Sequence, residues 1–232
     1  MGGSAASQAN AMTVAPPPWT LTGRGFVLVY RFPRDWALRH GFIPPERASS
    51  FLGGFGAVIL VDYSSSDCGP YRELLFVPGK FRSRDGKGYY AITKIFVSTQ
   101  ISVNSGIANW GIPKEFAQFS WQSSDWVRGD LERVRVAQGD MPIAEFGFSS
   151  SQTFSLSVTT AILPVALRTL EQYTLDGRRL LTAPSGAGRV QPAKLEIVTV
   201  NSALFPDLSE FKPLLTVKAE PFALSFPVPS IA

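Results

Sequence analysis

Short turn signals divide this chain into a succession of strand-length segments. Asp85-Gly86, Gly129-Asp130 and Gly139-Asp140 each separate two such segments by a few residues. Connections this short join antiparallel neighbours, because parallel strands need a crossover of a dozen or more residues. The pattern predicts a mainly β fold with few short helices, and a single-domain antiparallel β-barrel is its simplest form. Residues 89–101 are predicted to form one long strand, followed by a brief helix capped by Asn104 or Ser105. Residues 153–170 fit either strand or helix, and residues 185–188 are expected to be a linker.

The 232-residue chain contains enough apolar material for a sizeable core. Hydrophobic residues make up 45% of it and charged residues 17%, which excludes global disorder. Residues 1–18 are rich in Gly, Ala, Ser and Pro, so we expect a flexible N-terminal arm or a remnant of protein expression there. Residues 19–232 are expected to form one domain. No apolar run reaches the length of a membrane span, so no membrane partner is predicted.

Charge, cysteine and histidine usage exclude several classes of function. The net charge is +4, but the basic residues are scattered, so nucleic-acid binding is not predicted. Cys68 is the single cysteine and has no intrachain disulfide partner, which favours a reducing, cytoplasmic compartment. His40 is the single histidine and ends a predicted short helix. We therefore predict neither a metal site nor a cofactor.

One lysine is distinguished by its surroundings. Lys114 follows Pro113 and lies between the apolar segments 110–112 and 116–119. Pro113 restrains the backbone, so Lys114 leaves a stiff turn. Loss of hydration on an apolar platform disfavours a charged amine, and a neutral amine can form a Schiff base with a ketone or aldehyde. The alternative is a surface lysine whose stem covers the apolar residues.

A carboxylate falls in an apolar row of the strand predicted for residues 71–77. Alternation places Glu73 on the same face as Tyr71, Leu75 and Val77. If this face is buried, the carboxylate needs a cation or hydrogen-bond donors. An exposed glutamate on an edge strand is the other interpretation.

Several segments, taken in order, resemble the acetoacetate decarboxylase family. They are Ile112-Pro113-Lys114-Glu115 after Gly106, Gly69-Pro70-Tyr71-Arg72-Glu73, the opening strand at residues 23–31, the loop at residues 85–89 and the closing strand at residues 223–227. The order and spacing of the segments carry the resemblance, which runs from about Gly23 to Pro227.

The resemblance implies a conical β-barrel with a buried apolar cavity, found in homo-oligomers. It also implies a cofactor-free lyase for a small-molecule carbonyl substrate. Lys114 matches the Schiff-base lysine, Glu73 a cavity glutamate, and Arg24 an arginine near the cavity mouth that holds an anion. Around them, the residues expected to line the substrate pocket are Tyr71, Trp110, Ile112, Phe116 and Glu115.

The chain departs from the family at three places. Glu115 replaces a second lysine, Ile107-Ala108 replaces an Arg-Glu pair, and Val58 replaces an acidic residue. These changes indicate a more apolar cavity and a ligand that is bulkier or less charged than acetoacetate.

Three functional hypotheses remain open. The first is a lyase of the decarboxylase, aldolase or dehydratase type that works through an imine at Lys114. The second is an isomerase or cyclase of secondary metabolism that uses the cavity without an imine. The third is a binding protein for a small apolar molecule.

Overall fold

The computed structural model describes residues 13–124, 130–150 and 154–232. Its strands, in chain order, are β1 (Trp19–Arg31), β2 (Phe51–Gly53), β3 (Phe55–Ser65), β4 (Tyr71–Val77), β5 (Lys80–Arg82), β6 (Gly88–Tyr90), β7 (Lys94–Val97), β8 (Lys114–Phe116), β9 (Gln118–Ser124), β10 (Asp130–Gln138), β11 (Met141–Ser150), β12 (Leu156–Thr159), β13 (Leu170–Tyr173), β14 (Arg179–Thr182), β15 (Ser185–Val200), β16 (Leu215–Phe226) and β17 (Ser230–Ile231). The α-helices are α1 (Arg34–His40) and α2 (Gln100–Trp110), and short 3₁₀ helices span Pro45–Ser50, Thr160–Ile162 and Val165–Leu167. In the described ranges, no helix has both the length and the apolarity needed to cross a membrane.

The strands form two sheets. The larger has eleven strands in the order β8-β7-β4-β3-β1-β16-β15-β11-β10-β9, with β12 paired to β15. The smaller has the order β17-β14-β13-β6-β5-β2. Within the described residues, the pairs β7–β8 and β6–β13 are parallel and the other pairs are antiparallel. The predicted mainly β, predominantly antiparallel class is confirmed.

The two ends of the large sheet meet at one residue. Strands β8 and β9 lie at opposite ends of the strand order, yet Ala117 alone separates them in the chain. The Ala117 amide donates to the carbonyl of Val97, 2.9 Å away, which fixes this junction to β7. Between the described parts of β8 and β9 there is no strand pairing. A barrel closed by strand pairing is therefore not assigned, and the chain itself joins the two ends of the sheet through Ala117.

Both faces of the large sheet are covered by apolar side chains. From β1, Phe26, Leu28 and Tyr30 enter a first core, while Trp19 and Leu21 enter a second core on the other face. This alternation follows from the pleat of the strand. Helix α2 packs over the second core, which is the core that contains the candidate site.

The first core contains an unpaired hydroxyl. Tyr30 is buried, burial raises the pKa of its hydroxyl, and the oxygen has no hydrogen-bond partner among the residues that the structure describes. Because an unsatisfied buried polar group costs about 1–3 kcal/mol, Tyr30→Phe is expected to raise the free energy of unfolding by about 1 kcal/mol in urea denaturation. Tyr71→Phe is the matched control and should lower it, since the Tyr71 hydroxyl is bonded. A destabilised Tyr30→Phe variant would contradict this expectation.

The single long strand expected over residues 89–101 is not found. The structure divides this stretch into β6, β7 and the start of α2. The Thr99 side chain accepts from the Ser102 amide, so Thr99 caps α2 rather than Asn104 or Ser105. Gly111, with φ of 65°, ends the helix in the left-handed conformation. These two cap residues define the ends of a helix in a segment whose apolar content is typical of a strand.

Two other segments are defined by the structure: one differs from its predicted assignment, and the other had been left open by the sequence. Residues 185–188, expected to be a linker, begin β15 and pair with β16. Gly188 permits this pairing, since a Cβ there would lie 2.6 Å from the carbonyl oxygen of Pro221. The ambiguous stretch up to residue 170 contains β12 and two 3₁₀ helices. The predicted turn position Gly129 and the start of that stretch at Thr153 lie outside the described residues.

Packing begins before Trp19. Ala15 is buried, its amide donates to Ser105 Oγ at 2.9 Å, and its carbonyl accepts from Asn109 Nδ2 at 2.7 Å. These bonds tie the chain to α2 inside the segment expected to be an arm. Residues 1–12 of that expected arm lie outside the described residues.

Candidate active site

A cavity of about 400 Å³ opens on the second-core face of the large sheet. Strands β1, β3, β4, β15 and β16 supply most of its wall, and Trp110 and Ile112 close it beside the end of α2. The lining is mostly apolar. Among its described residues, those with a polar or charged side chain other than tryptophan are Tyr63, Tyr71, Glu73, Lys114 and Thr160.

Lys114 is buried at this cavity, and its amine has three oxygen neighbours. The Nζ atom lies 3.0 Å from Glu73 Oε2, 3.0 Å from Ser102 Oγ and 3.4 Å from the Tyr71 hydroxyl. An ammonium group has three N–H donors, so each donor has an acceptor here. Nζ also lies 5.0 Å from the centre of the Tyr71 ring, which packs against the cation.

The turn after α2 directs this lysine inward. Gly111 ends the helix, and Pro113 stiffens the short link to β8, of which Lys114 is the first residue. Strand β8 runs parallel to β7, with Lys114 paired to Ile95. The backbone therefore places Lys114 after a stiff turn, as expected. Its side chain is buried, so the surface-lysine alternative is wrong.

Gly106 leaves the space that the lysine stem occupies. A Cβ atom at position 106 would lie 2.5 Å from Lys114 Cδ and 2.8 Å from Cε. Ser102, one turn earlier on the same face of α2, supplies a hydroxyl to the amine. One helix face thus provides both the room and an acceptor for Lys114.

Glu73 is buried opposite the amine. Its carboxylate accepts from Lys114, and the hydroxyls of Tyr63 and Tyr71 donate to it at 3.5 Å each. In the register of β3 and β4, Glu73 pairs with Val61, which also lines the cavity. The alternative of an exposed edge glutamate is wrong, because Glu73 is 5% exposed.

Comparison with known proteins shows which of them share this architecture. No family model matches the sequence, and no curated protein matches it. Among solved structures, acetoacetate decarboxylase from Legionella pneumophila subsp. pneumophila str. Philadelphia 1 superposes with a TM-score of 0.65 at 15% identity, over 94% of this chain and 88% of that one. This chain has the acetoacetate decarboxylase-like fold.

Two further structures have the same fold. The enduracididine biosynthesis enzyme MppR complexed with pyruvate gives a TM-score of 0.61 at 16% identity, over 98% of this chain and 94% of that one. An acetoacetate decarboxylase-like enzyme from Sphingomonas wittichii RW1 gives 0.63 at 10% identity, over 93% and 92%. At these identities the likeness establishes the fold, which confirms the resemblance noted in the sequence.

In this acetoacetate decarboxylase-like fold, two tyrosines serve as neutral donors beside Glu73. Burial raises the pKa of Tyr63 and of Tyr71 well above the usual value, and the nearby Glu73 carboxylate raises both further. Both hydroxyls therefore stay protonated where they contact the carboxylate.

These tyrosines predict a loss of stability at high pH. The unfolded chain releases their protons near pH 10, whereas the folded chain retains them, so stability is intact below about pH 10 and falls as the pH rises further. Tyr63→Phe and Tyr71→Phe should each make this fall shallower in urea denaturation at alkaline pH. In the wild type, absorbance at 295 nm should show a late ionisation step that coincides with unfolding. Ionisation of all six tyrosines before unfolding would contradict the prediction.

Sequence reasoning missed several residues around the amine. Ser102 lay between a strand predicted to end at Ile101 and a helix predicted to begin later, so its position four residues before Gly106 carried no meaning until the bounds of α2 were known. Cys68 is also buried nearby, with its Sγ 3.3 Å from Ser66 Oγ. Burial raises the pKa of the Cys68 thiol, although Lys114 opposes this. We therefore regard Cys68 as a residue that packs beside the site.

Phe116 and Glu115 do not line the cavity, contrary to expectation. Strand β8 is three residues long and forms the end of the sheet, so Phe116 lies past the cavity and is 41% exposed. Glu115 points away from Lys114 and pairs with Lys94, with 2.6 Å between Nζ and Oε1. By contrast, Tyr71, Trp110 and Ile112 do contribute to the wall.

Arg24 is also outside the cavity. Its neighbour Gly25 lines the cavity, so the pleat turns Arg24 to the opposite face of β1. There it pairs with Asp62 and Glu132, each at 3.5 Å. Val58 likewise belongs to the first core, so the residue that faces Glu73 is Val61.

Proposed function

We propose that this protein is a cofactor-free lyase that acts on a carbonyl compound through a Schiff base at Lys114. The observation that carries the proposal is a buried amine 3.0 Å from a buried carboxylate, at the wall of a mostly apolar cavity. Structural neighbours that bear decarboxylase names, and MppR complexed with pyruvate, support a carbonyl substrate.

Glu73 is positioned to prepare the amine for attack. It accepts a proton from the Lys114 ammonium group, and the neutral nitrogen then attacks the carbonyl carbon. A C–N bond forms, and the carbonyl oxygen leaves as water after receiving two protons, one from the attacking nitrogen and one from Glu73. The product is a protonated imine beside the regenerated carboxylate.

The protonated imine then acts as an electron sink. When a bond at the adjacent carbon breaks, its electron pair moves toward nitrogen and forms a neutral enamine. Glu73 can exchange protons at this carbon or at a leaving oxygen, while Ser102 or Tyr71 accepts the one N–H that the nitrogen keeps. Protonation of the enamine and hydrolysis of the imine restore the free lysine.

Reductive trapping tests this proposal. The wild-type protein is incubated with 2-nonanone and cyanoborohydride, digested and mapped by mass spectrometry. We expect one dominant adduct, on the peptide that contains Lys114. Exposed Lys194 provides the internal control and should remain unmodified at the same dose. Labelling spread evenly over exposed lysines, with none at Lys114, would overturn the proposal.

A second candidate is an isomerase or cyclase that uses the same cavity without an imine. It is favoured by the three acceptors around Nζ, which suit an ammonium group that acts as a hydrogen-bond donor or acid. A Lys114→Ala variant that keeps most of its turnover would support this candidate over the lyase. Tight binding of a ligand without its conversion would instead support a binding protein.

A further inference from the structure

We infer that the cavity selects a neutral ketone or aldehyde with an apolar tail and disfavours carbonyl compounds that carry an additional anionic group. This inference rests on the proposed function and narrows its substrate class. It also argues against decarboxylation, because that reaction requires a carboxylate on the substrate. The reaction types that remain are aldol-type cleavage, condensation and dehydration of a neutral substrate.

The formal charge of the cavity is zero before a substrate arrives. Among the described lining residues, Lys114 contributes +1 and Glu73 contributes −1. The raised pKa values of Tyr63 and Tyr71 keep both phenols neutral. A proton that moves from Lys114 to Glu73 leaves the sum unchanged. A carboxylate on the substrate would therefore bring an uncompensated negative charge into a buried apolar site, which is strongly disfavoured.

Three cations on strands that wall the cavity, one each on β1, β4 and β16, are engaged elsewhere. Arg24 and Arg72 both pair with Asp62, on the face of the sheet that points away from the cavity. Lys218 pairs with Glu132 at 2.7 Å between Nζ and Oε1, and its neighbour Ala219 is the residue that lines the cavity. No described cation other than Lys114 lines the cavity.

Formation of the imine does not change this balance. A protonated imine keeps the single positive charge of Lys114, so the imine and Glu73 again sum to zero. The hydroxyls of Tyr63 and Tyr71 already contact Glu73 and are not aimed at a second anion. A neutral carbonyl substrate is thus the one that leaves the site electrically balanced at each stage.

The size and lining of the cavity call for an apolar tail. A volume of about 400 Å³ holds roughly a dozen water-sized groups, so a three- or four-carbon substrate would leave most of it unfilled. The wall includes Val27, Ile59, Leu224 and Phe226, which offer no hydrogen bonds from their side chains. Burial of a hydrocarbon tail against these residues is favourable.

The bond changes balance for a neutral β-hydroxy ketone. Once the ketone is bound as the protonated imine, Glu73 takes the proton of the β-hydroxyl group. The bond between the α and β carbons breaks, the β carbon leaves as an aldehyde, and the electron pair forms the enamine. Glu73 returns the proton to the α carbon, and water hydrolyses the imine to release the shorter ketone. No oxidant or reductant is consumed.

A matched pair of ligands tests the selectivity. The compounds 2-nonanone and 8-oxononanoate share a methyl ketone and a nine-carbon chain, but the second ends in a carboxylate. Trp19 and Trp110 line the cavity, so their fluorescence reports binding of either ligand. We expect 2-nonanone to bind at least tenfold more tightly to the wild-type protein. Equal or tighter binding of 8-oxononanoate would overturn the inference.

A variant that changes the charge of the cavity provides a second, independent test of the ligand selectivity. Glu73→Gln leaves the positive charge of Lys114 unopposed, so the preference should shift toward 8-oxononanoate by at least tenfold. Glu196→Gln removes an exposed carboxylate paired with Lys194 and should leave the preference unchanged. The wild-type comparison decides the inference even if Glu73→Gln does not fold.

Cyanoborohydride trapping with the same two ligands separates this inference from the proposed function. If 2-nonanone binds more tightly but neither ligand is trapped, the selectivity stands and the Schiff-base function fails. If both ligands are trapped at Lys114 with equal efficiency, the Schiff-base function stands and the selectivity fails.

Discussion

Lys114→Met is expected to lower reductive trapping of 2-nonanone at least about 10³-fold, because it removes the nucleophile itself. Methionine is apolar and similar in length, so it fills the space of the lysine stem beside Gly106 without supplying an amine. The measurement is the yield of the ketone adduct in intact-protein mass spectra at fixed protein, ketone and reductant concentrations.

Lys94→Met is the matched control for this variant. Lys94 lies on β7, the neighbour of β8, but it pairs with Glu115 outside the cavity. Its removal should leave trapping at the wild-type level. Adduct formation that persists in Lys114→Met and falls in Lys94→Met would show that the reactive amine had been assigned to the wrong side of the sheet.

The second large effect concerns stability. Lys114→Met and Glu73→Leu each leave one member of a buried pair without its partner, so each is expected to lower the free energy of unfolding by about 3–5 kcal/mol. The double variant Glu73→Leu/Lys114→Met removes both charges and should return to within about 1 kcal/mol of the wild type, because an apolar pair costs no desolvation of charge. Urea denaturation at pH 7 measures all four proteins of this cycle.

The Lys94–Glu115 pair provides a more exposed counterpart of the cycle. The side chain of Glu115 is 46% exposed, although that of Lys94 is only 12% exposed, and pairs open to solvent contribute about 0–1 kcal/mol. Its single and double variants should therefore stay close to the wild type. If the losses in the two Glu73 and Lys114 single variants simply add in the double variant, the two side chains do not interact as the structure indicates.

Local patterns drew attention to both members of the central pair, and the family resemblance gave them their roles in the site. Alternation in the strand of residues 71–77 placed Glu73 in an apolar row, and Pro113 marked a stiff turn before Lys114. Both signals lie within a few residues of the side chain concerned. The structure brings the two together because β4, β7 and β8 are neighbours in the sheet.

The remaining site residues depended on information that lies far away in the chain. Alternation shows which residues share a face, but the pairing of β1 with β3 and β16 decides which face borders the cavity. Arg24 was therefore placed on the wrong side. Ser102 was missed for another reason: it lay between a strand predicted to end at Ile101 and a helix predicted to begin at Asn104 or Ser105. The helix in the structure begins earlier and brings Ser102 and Gly106 onto one face, one turn apart.

The stem of Lys114 occupies the space that a side chain at position 106 would need, so each position restricts which residues the other can hold. Any chain that diverges from this one and gains a side chain at position 106 must shorten or redirect residue 114, and so loses the amine from its place beside the carboxylate. The two positions should therefore change in step. A glycine at position 106 would mark those variants in which a lysine eight residues later is still able to reach Glu73.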